Sequence, residues 1–530
     1  MNTTVNHPSI PAIAAKSPLP DLPDPVTCFS RLTHHGTRPH TVLLESAEPS
    51  SRKTQRSLLV ISSALSIVCR GASVEITALD DEGRTLLPHL VSLFSRYLIQ
   101  TEADQIRLIL PLPKTAQGLS EQNRLRHDST LTVLRELAAA FTSSLPHFPE
   151  AVFLTGVFAY DFVDQFETLA APQAGNDFPD YQFYLADQMI VIDHVQNEAY
   201  AIACSFHPDH ADSLERRLQY LQSVALETIQ PERTIFRQIA DFPEAQTDCN
   251  DVAFAANVEA LKKYIISGDV FQIVFSRIFS LPCRDAFAAY RVLRSLNPSP
   301  YLFYMNGGDF VLFGASPESA VKVDETRHTV EISPIAGTCR RGLRNDGSID
   351  FDLDSRLEAE LRLDEKENAE HMMLVDLARN DIARVCKPAT RSVTELLRTE
   401  RYSHVMHLVS RVSGVLCDDL DALHAYQASM NMGTLTGAPK IRAMQLLREI
   451  EGKRRGHYGG TIGYLRGDGS FDTAIVIRAA LTRNGLAEVR AGAGIVYDSD
   501  PLHEADETRR KAEAVLRAIA IAENMETVHG

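Results

Sequence analysis

The 530-residue chain lacks any apolar run long enough to cross a bilayer. The longest runs, such as L-L-V-I-S-S-A-L-S-I-V at 58–68, fall far short of the roughly 20 residues that a spanning helix needs. An excess of basic residues is also missing, because the net charge is −16 whereas nucleic-acid binding draws on clustered lysine and arginine. These absences argue against a membrane partner and against a nucleic-acid partner.

Paired cysteines are absent as well. The eight cysteines are scattered with no C-x-x-C motif, so they are interpreted as reduced thiols. The first 25 residues contain six prolines and no apolar segment of signal-peptide length. This composition predicts a disordered leader over 1–25, and the whole pattern indicates a soluble, cytoplasmic protein.

The remaining sequence divides into two parts. Strand-like segments such as T-V-L-L-E-S at 41–46 dominate the first part, and helical periodicity follows over 211–228. The polar stretch 229–250 contains two prolines and is the expected seam. Because 530 residues exceed one ordinary core, we predict an N-terminal lobe over 26–230 and a second lobe over 251–525.

Two Glu-x-x-Glu pairs stand near the start of predicted helices in the second lobe. Glu367 and Glu370 form one pair, and Glu504 and Glu507 form the other. Residues three apart share a helix face, so each pair directs two carboxylates the same way. Either pair alone could be a solvated helix end, where the helix dipole favours glutamate. Four converging carboxylates would need a cation, and oxygen ligands suit Mg²⁺.

Eight short segments of the second half follow one another in a distinctive order. They are G-A-S-P-E-S at 314–319, P-I-A-G-T at 334–338, E-H-M-M-L-V-D-L-A-R-N-D at 370–381, M-H-L-V-S at 406–410, G-T-L-T-G-A-P-K at 433–440, Y-G-G-T-I-G-Y at 458–464, I-V-I-R at 475–478 and A-G-A-G-I-V at 491–496. In this order they resemble the chorismate-utilising enzymes, and within them the component I subunits of anthranilate synthase from enteric-like bacteria. L-L-E-S at 43–46 and N-P-S-P-Y at 297–301 resemble the tryptophan-binding segments of those subunits.

The resemblance implies a fold and an activity. The fold is α+β, with large antiparallel sheets packed in a sandwich, helices outside, two lobes, and the active site in the second lobe. The activity is that of a lyase that converts chorismate and ammonia to anthranilate and pyruvate, the first step of tryptophan biosynthesis, under feedback inhibition by tryptophan. No G-x-C-x-G-type glutaminase segment is present, so a partner glutamine amidotransferase subunit (component II) is expected in a hetero-oligomer.

The resemblance also assigns residues to the active site. Glu370 and Glu507 are expected to ligate Mg²⁺, while Glu367 and Glu504 hold water ligands behind them. His407 matches the active-site histidine and suits proton transfer because its ordinary pKa lies near working pH. His404, three residues before it, is interpreted as structural. Glu318 matches a glutamate near the path of the nucleophile. The substrate-binding positions are Gly337, Thr338, Thr434, Tyr458, Arg478, Gly492, Ala493, Gly494 and Lys511.

A separate set of residues is expected to bind tryptophan as inhibitor between the lobes. A free amino acid needs an anion for its ammonium group, an acceptor for its indole N–H and an apolar slot for its ring. Glu45 and Ser46 are expected to meet the first two needs, and Tyr301 with Leu302 the third. The full set is Leu44, Glu45, Ser46, Pro300, Tyr301 and Leu302.

Two positions distinguish close relatives within the family. Gln272 stands where isochorismate-forming and salicylate-forming enzymes carry a lysine that activates water, and a glutamine cannot act as a base. Ala336 stands where aminodeoxychorismate-forming enzymes carry a nucleophilic lysine. Both absences favour direct attack by ammonia.

The alternatives are an enzyme of the para-aminobenzoate branch, an aminodeoxyisochorismate synthase that stops before elimination, or an inactive regulatory subunit. The last predicts loss of the Mg²⁺ carboxylates or of His407, and all of them are present. A metal-free structural protein would be expected to lack the glycine segments and Arg478.

Overall fold

The computed structural model describes residues 10–46, 56–115, 118, 120–145, 147–174, 177–230, 243–344, 346–402 and 405–524. The strands of the first half are β1 (Ile10–Pro18), β2 (Thr41–Glu45), β3 (Arg56–Arg70), β4 (Ser73–Ala78), β5 (Leu98–Thr101), β6 (Gln105–Ile109), β7 (Phe141–Ser143), β8 (Phe153–Phe158), β9 (Tyr181–Asp193) and β10 (Glu198–Ser205). Those of the second half are β11 (Gln246–Thr247), β12 (Gln272–Pro282), β13 (Tyr301–Asn306), β14 (Val311–Ser316), β15 (Ser319–Asp324), β16 (Thr329–Ile332), β17 (Ile335–Arg340), β18 (Ser392–Arg401), β19 (Val405–Val415), β20 (Gly437–Ala438), β21 (Thr461–Arg466), β22 (Phe471–Ile475), β23 (Ala479–Arg483) and β24 (Leu486–Ile495).

The helices lie outside these sheets. They are α1 (Pro25–Leu32), α2 (Asp81–Leu93), α3 (Glu121–Leu125), α4 (Leu131–Ala140), α5 (Ala211–Glu227), α6 (Asp251–Ile266), α7 (Ala286–Leu296), α8 (Phe351–Leu363), α9 (Glu365–Ala383), α10 (Ala422–Ser429), α11 (Gly433–Thr436), α12 (Lys440–Glu451) and α13 (Pro501–Glu523). In the described part of the chain, no helix is both long and apolar enough to cross a membrane.

The strand ladders are antiparallel, apart from a short parallel pairing of β1 with β7. The long strand β3 is buried on both faces because its apolar side chains alternate between two cores. Leu58 and Val60 lie in the first core, with Phe303, whereas Leu59 and Ile61 lie in the second core. Large antiparallel sheets with helices outside confirm the predicted α+β class.

Two ladders join the predicted lobes. Strand β2 pairs with β13, so that Glu45 lies opposite Leu302, and β8 pairs with β21. Residues 231–242 of the predicted seam lie outside the described residues. A ligand bound across β2 and β13 would therefore touch both halves of the chain.

The predicted disordered leader over 1–25 is wrong for residues 10–25, and residues 1–9 lie outside the described residues. Strand β1 pairs with β10, and Ile10, Ala12 and Ala14 bury alternate positions in the first core. This period-two pattern outweighs the proline content, because proline is tolerated on a strand where no ladder N–H is needed.

Candidate active site

A large cavity of about 510 Å³ in the second half of the chain, here the large cavity, contains nearly all of the predicted active-site residues. Its walls come from α9, α13, β17, β19 and β24, whose residues are distant in sequence. The predicted residues that line it are Glu318, Gly337, Thr338, Glu367, Glu370, His407, Thr434, Tyr458, Arg478, Gly492, Gly494, Glu504, Glu507 and Lys511.

Helices α9 and α13 begin just before the two glutamate pairs. Asp364 caps α9 by accepting a 2.9 Å hydrogen bond from the Glu367 N–H. Asp500 caps α13 by accepting a 2.8 Å hydrogen bond from the His503 N–H, and Pro501 occupies the first turn. Such caps satisfy N–H groups that a helix start leaves without partners. The caps therefore place both pairs in early helical turns that line the cavity.

The four carboxylates disfavour one another's charge. Burial raises the pKa of Glu367, Glu370 and Glu504, and neighbouring carboxylates add to each increase. Burial acts the same way on Glu507, but the Lys511 ammonium, 2.5 Å away, outweighs it and lowers the Glu507 pKa. Like charges sharing a cavity are tolerated when a cation or a proton separates them.

These residues fit a hard divalent cation. The Oε2 atom of Glu504 is buried and has no hydrogen-bond partner among the described residues. One potential ligand atom from each of His503, Glu504 and Glu507 lies within 4.8 Å of the others. Glu370 adds a further carboxylate, weakly paired with Lys366 at 3.8 Å. Oxygen-rich sets of this kind suit Mg²⁺.

His407 is held on β19 beside a bulge in β17. Its Nδ1 lies 2.9 Å from the Thr338 hydroxyl, and the two residues are opposite each other in the ladder. The register shifts between Ala336 and Thr338, where Gly337 adopts a φ of +77° that glycine tolerates best. Burial, together with the charge of Arg478, lowers the pKa of His407 to about 4. The imidazole is therefore neutral at neutral pH. His404 lies outside the described residues.

A buried histidine ties α9 to the strands that carry His407. His371 is fully buried, its Nε2 lies 2.6 Å from the Ser410 hydroxyl, and its Nδ1 lies 3.3 Å from the Ala336 carbonyl. Because His371 follows Glu370 directly, this contact connects the glutamate helix to β17 and β19. It gives the motif residues His371 and Ser410 a positioning role.

Strand β24 brings its backbone against the aromatic wall of the cavity. A Cβ atom on Gly492 would lie 2.8 Å from the Tyr458 hydroxyl, and one on Gly494 would lie 2.7 Å from Gln272 Nε2. Glycine at these positions permits the close approach. Ala493 does not line the cavity, because alternation places its side chain in a third core with Phe275. The contact expected from Ala493 is through its main chain, so it stays a prediction.

A basic wall faces the glutamates. Arg478 has an unusual φ of +51° for a bulky residue, and its guanidinium donates to the Lys511 carbonyl at 3.2 Å. The Lys511 ammonium also reaches the Gly492 carbonyl at 3.1 Å. Sequence reasoning missed four basic residues that line this cavity, namely Lys366, Arg490, His503 and Arg510. Spacing from Glu504 and Glu507 along α13 was the one available signal for His503 and Arg510.

Four further groups also line this cavity. The Thr434 hydroxyl and the Gln272 Oε1 atom are buried and have no hydrogen-bond partner among the described residues. Glu318 is buried at the cavity wall, and Ala336 lies beside Gly337. The two positions that distinguish close relatives thus both line the same cavity.

A small cavity of about 60 Å³ lies along β2, β13, β21 and β22. It is lined by all six residues predicted to bind tryptophan, namely Leu44, Glu45, Ser46, Pro300, Tyr301 and Leu302. Sequence reasoning missed three polar residues on its walls, Arg56, Tyr464 and Asp472. We refer to it as the small cavity.

Glu45 and Leu302 line the small cavity, but their side chains make other contacts in this structure. The Glu45 carboxylate accepts hydrogen bonds from Tyr290 and, at 3.2 Å, from Arg294. Leu302 packs in the second core with Leu43 and Leu59. Successive side chains of a strand point to opposite faces, so Leu44 and Phe303, with the first core, face the small cavity instead.

Comparisons with known proteins agree with this geometry. The chain matches the chorismate binding enzyme family over residues 95–517. It is 50% identical, over 524 residues, to anthranilate synthase component 1 of Vibrio cholerae, covering 98% of this chain and 99% of that protein. A solved structure of anthranilate synthase component I from Streptococcus pneumoniae TIGR4 superposes with a TM-score of 0.65 at 31% identity, covering 88% of this chain and 93% of that one.

A more distant structure shows the same fold. The menaquinone-specific isochorismate synthase MenF from Escherichia coli superposes with a TM-score of 0.64 at 17% identity, covering 98% of this chain and 96% of that one. The glutamate pairs, His407, Arg478 and the glycine segments therefore lie on the fold that the sequence motifs predicted, and the chain belongs to the chorismate binding enzyme family.

Proposed function

We propose that this chain is the component I subunit of an anthranilate synthase, which converts chorismate and ammonia to anthranilate, pyruvate and water. The observation that carries the proposal is a single cavity that combines the glutamate cluster with Arg478 and His407, while Gln272 and Ala336 offer no base and no nucleophile. The names of the similar proteins support the same activity.

Chorismate is a dicarboxylate, and the cavity offers two places for anionic groups. Arg478 is proposed to hold the enolpyruvyl carboxylate with its two-pronged donor set. Glu370 and Glu507 would hold Mg²⁺, with Glu367 and Glu504 supporting its water ligands. When bound, the ion supplies positive charge that anchors and polarises the ring carboxylate. Lys511 pairs with Glu507 and so limits the negative charge of the cluster.

Proton transfer is assigned to His407. Amination at C2 with loss of the C4 hydroxyl needs a proton for the leaving water, and elimination of pyruvate needs a base for the C2 proton. Thr338 engages Nδ1 of His407, so Nε2 is the nitrogen left to exchange a proton with the substrate. Because its pKa is lowered, the imidazole is neutral at neutral pH and is therefore in the form that can accept a proton.

The activity is tested directly by incubating the purified chain with chorismate, Mg²⁺ and ammonia. We expect anthranilate, read by its fluorescence, and pyruvate, read by a coupled dehydrogenase, in equal amounts. An amino product without pyruvate would instead indicate an enzyme that stops before elimination. A chain that binds chorismate but forms no product would indicate a regulatory subunit.

We predict that no covalent substrate adduct forms during turnover, because Ala336 and Gln272 are not nucleophilic. Intact-protein mass spectrometry of the acid-quenched reaction should show the unmodified mass at every time point. The variant Ala336→Lys, which restores an amine at this position, is the positive control for detecting an adduct. Isochorismate as the main product would contradict the subfamily assignment.

Ammonia is proposed to come from a partner glutamine amidotransferase subunit in the cytoplasm. The chain itself has no segment of the G-x-C-x-G type, and the name component 1 of its relatives supports a second component. Free ammonia should therefore sustain activity that glutamine alone does not sustain. Adding the amidotransferase component should restore glutamine-dependent turnover.

Tryptophan is proposed to inhibit from the small cavity. Ser46 Oγ and Asp472 Oδ1 are buried without hydrogen-bond partners among the described residues, so they can serve the indole N–H and the ammonium. Tyr301 and Phe303 line the apolar part. At about 60 Å³ the cavity has room for about two water molecules, so tryptophan fits only an opened arrangement. Because β2 and β13 belong to different halves of the chain, a ligand bound here contacts both halves.

We predict that chorismate and tryptophan weaken each other's binding by the same factor, because coupling between sites is reciprocal. Calorimetry of tryptophan with and without chorismate should show a lower tryptophan affinity in the presence of substrate. Ser46→Phe should abolish tryptophan binding by filling the cavity, whereas Ser295→Phe, on the exposed side of α7, should not. Unchanged tryptophan affinity in both comparisons would remove this site.

A further inference from the structure

A third cavity lies beside the large cavity and is lined mainly by basic side chains. Its volume is about 120 Å³, and its charged lining consists of Arg454, Arg455, Arg483, Arg490, His457 and Glu488. Glu488 is exposed, whereas His457 is only 4% exposed. We call it the arginine cavity. Four guanidiniums around one cavity are unexpected in a chain with a net charge of −16.

Three of these arginines pair with two buried carboxylates. Arg455 and Arg490 share Glu451, with N–O distances of 2.7 and 2.6 Å. Arg454 reaches Asp180 at 2.6 Å. These pairs account for the positive charge on one side of the cavity, and buried charges in proteins are normally paired in this way.

Arg483 and His457 differ from these three arginines, because neither pairs with a buried carboxylate among the described residues. Arg483 reaches its carboxylate, the exposed Asp309, only at 3.5 Å. Its Nε is buried and has no hydrogen-bond partner among the described residues. The His457 Nε2 atom, also buried, likewise has no partner in the described part of the chain. Buried polar atoms in native proteins usually have a hydrogen-bond partner, so these two groups can accommodate a bound water or an anion.

The electrostatics of His457 agree with uncompensated positive charge. Burial lowers its pKa, and the charges of Arg490 and Arg483 lower it further, to about 3. The ring also packs edge-on against Phe178, with centroids 5.9 Å apart, which leaves it little freedom to turn away. An anion between Arg483 and His457 would offset this unfavourable field. It would accept a hydrogen bond from the Arg483 Nε–H and, in the tautomer with the proton on Nε2, from the His457 ring.

The cavity size limits the ligand class. A volume of about 120 Å³ corresponds to about four water molecules at roughly 30 Å³ each. This is enough for a tetrahedral oxyanion and too little for a nucleotide. Guanidinium groups bind phosphate-like oxygens through several parallel hydrogen bonds.

We propose that the arginine cavity is a binding site for a small oxyanion of the phosphate class, held by Arg483 and His457 and separate from the large cavity. Arg490 lines both cavities, so an occupant here contacts the same residue that borders the substrate site. The proposal does not depend on the reaction assigned to the large cavity, because it concerns binding alone.

The test is a titration of the full chain with inorganic phosphate, without Mg²⁺ and at constant ionic strength balanced with chloride. A ligand that binds the native state raises the thermal midpoint along a saturable curve. We expect this rise for the unmodified chain and a loss of apparent affinity of about tenfold or more in Arg483→Gln and in His457→Gln. Arg327→Gln, an exposed arginine on a turn, is the matched control and should behave as the unmodified chain.

A further variant separates the two cavities. Arg478→Gln removes an anion-binding group of the large cavity only, so it should leave the phosphate response intact. Loss of the response in Arg478→Gln with retention in Arg483→Gln would place the anion in the large cavity and overturn the proposal. Absence of a saturable rise in the unmodified chain would overturn it as well.

A second measurement covers variants that fail to fold. Crystals of the unmodified chain soaked in selenate should show an anomalous peak within hydrogen-bond distance of Arg483 Nε and His457 Nε2. Absence of that peak would show that water fills the cavity, and the proposal would be wrong.

Discussion

Glu370→Gln and Glu507→Gln should each reduce ammonia-dependent turnover by about 100-fold or more. Substitution of groups that merely support metal ligands usually costs about 10-fold to 100-fold, so loss of a ligand charge should cost at least as much. Glu367→Gln and Glu504→Gln should fall within that smaller range. Activity is measured with free ammonia over a Mg²⁺ titration, so that a weakened metal site appears as a shifted requirement for the ion.

Without metal, the two substitutions should change the thermal midpoint in different directions. The Glu370 pKa is raised, so its ionised form is less favourable in the folded chain than in the unfolded chain at neutral pH. Glu370→Gln removes that penalty and should leave the thermal midpoint in chelator unchanged or higher. The Glu507 pKa is lowered by Lys511, so Glu507→Gln removes a favourable pair and should lower the midpoint slightly.

Matched controls lie on the same helices. Glu365 is exposed at the start of α9 and Glu513 is exposed on α13, so their glutamine variants change the same charge away from the cavity. Both should keep full activity and the full Mg²⁺ response. Substantial turnover by Glu370→Gln or Glu507→Gln in the presence of chelator would refute the assignment of these two carboxylates to the metal.

The position of the glutamate cluster could be predicted from local sequence. Asp364 and Asp500 are good helix caps, and three-residue spacing places each glutamate pair on one face. The basic wall could be predicted only in part. Lys366 lies four residues before Glu370 on the same helix, so helix spacing predicts that it is near the glutamates. Arg490 looks like an ordinary charged residue in sequence, and it lines the cavity because the β12–β24 ladder brings its strand there.

The alternation of side chains along a strand predicts which residues face a cavity, and the family resemblance does not. In L-L-E-S a period of two places Leu44 and Ser46 on one face and Glu45 on the other, which is the arrangement found. The same rule separates Ala493 from its glycine neighbours, and it would have identified I-P-A-I-A as a strand despite its proline. The family motifs located these segments in the sequence. The alternation of side chains between the two faces of a strand determines which of them can reach a ligand.

His407→Gln should lower kcat by roughly 10²-fold to 10⁴-fold with little change in KM, because general acid–base groups contribute about that much to turnover. The pH dependence distinguishes this role from a structural one. Since the His407 pKa is lowered to about 4 in the free chain, its neutral form persists as the pH falls through 6.5 and is lost only near pH 4. The profile of kcat/KM should therefore lack a histidine limb near pH 6.5.

Substitution of Arg478 tests the cause of the lowered His407 pKa. Burial and the Arg478 charge together depress the His407 pKa, so Arg478→Gln should raise it and make the imidazolium form at higher pH. NMR titration of the His407 ring in the unmodified chain and in Arg478→Gln measures the shift directly, with His407→Gln used to assign the signal. A His407 pKa that is ordinary in the unmodified chain, or unmoved in Arg478→Gln, would contradict the coupling. An ordinary pKa would keep a fraction of the imidazolium available near pH 6.5, and His407 would then also be able to protonate the leaving hydroxyl.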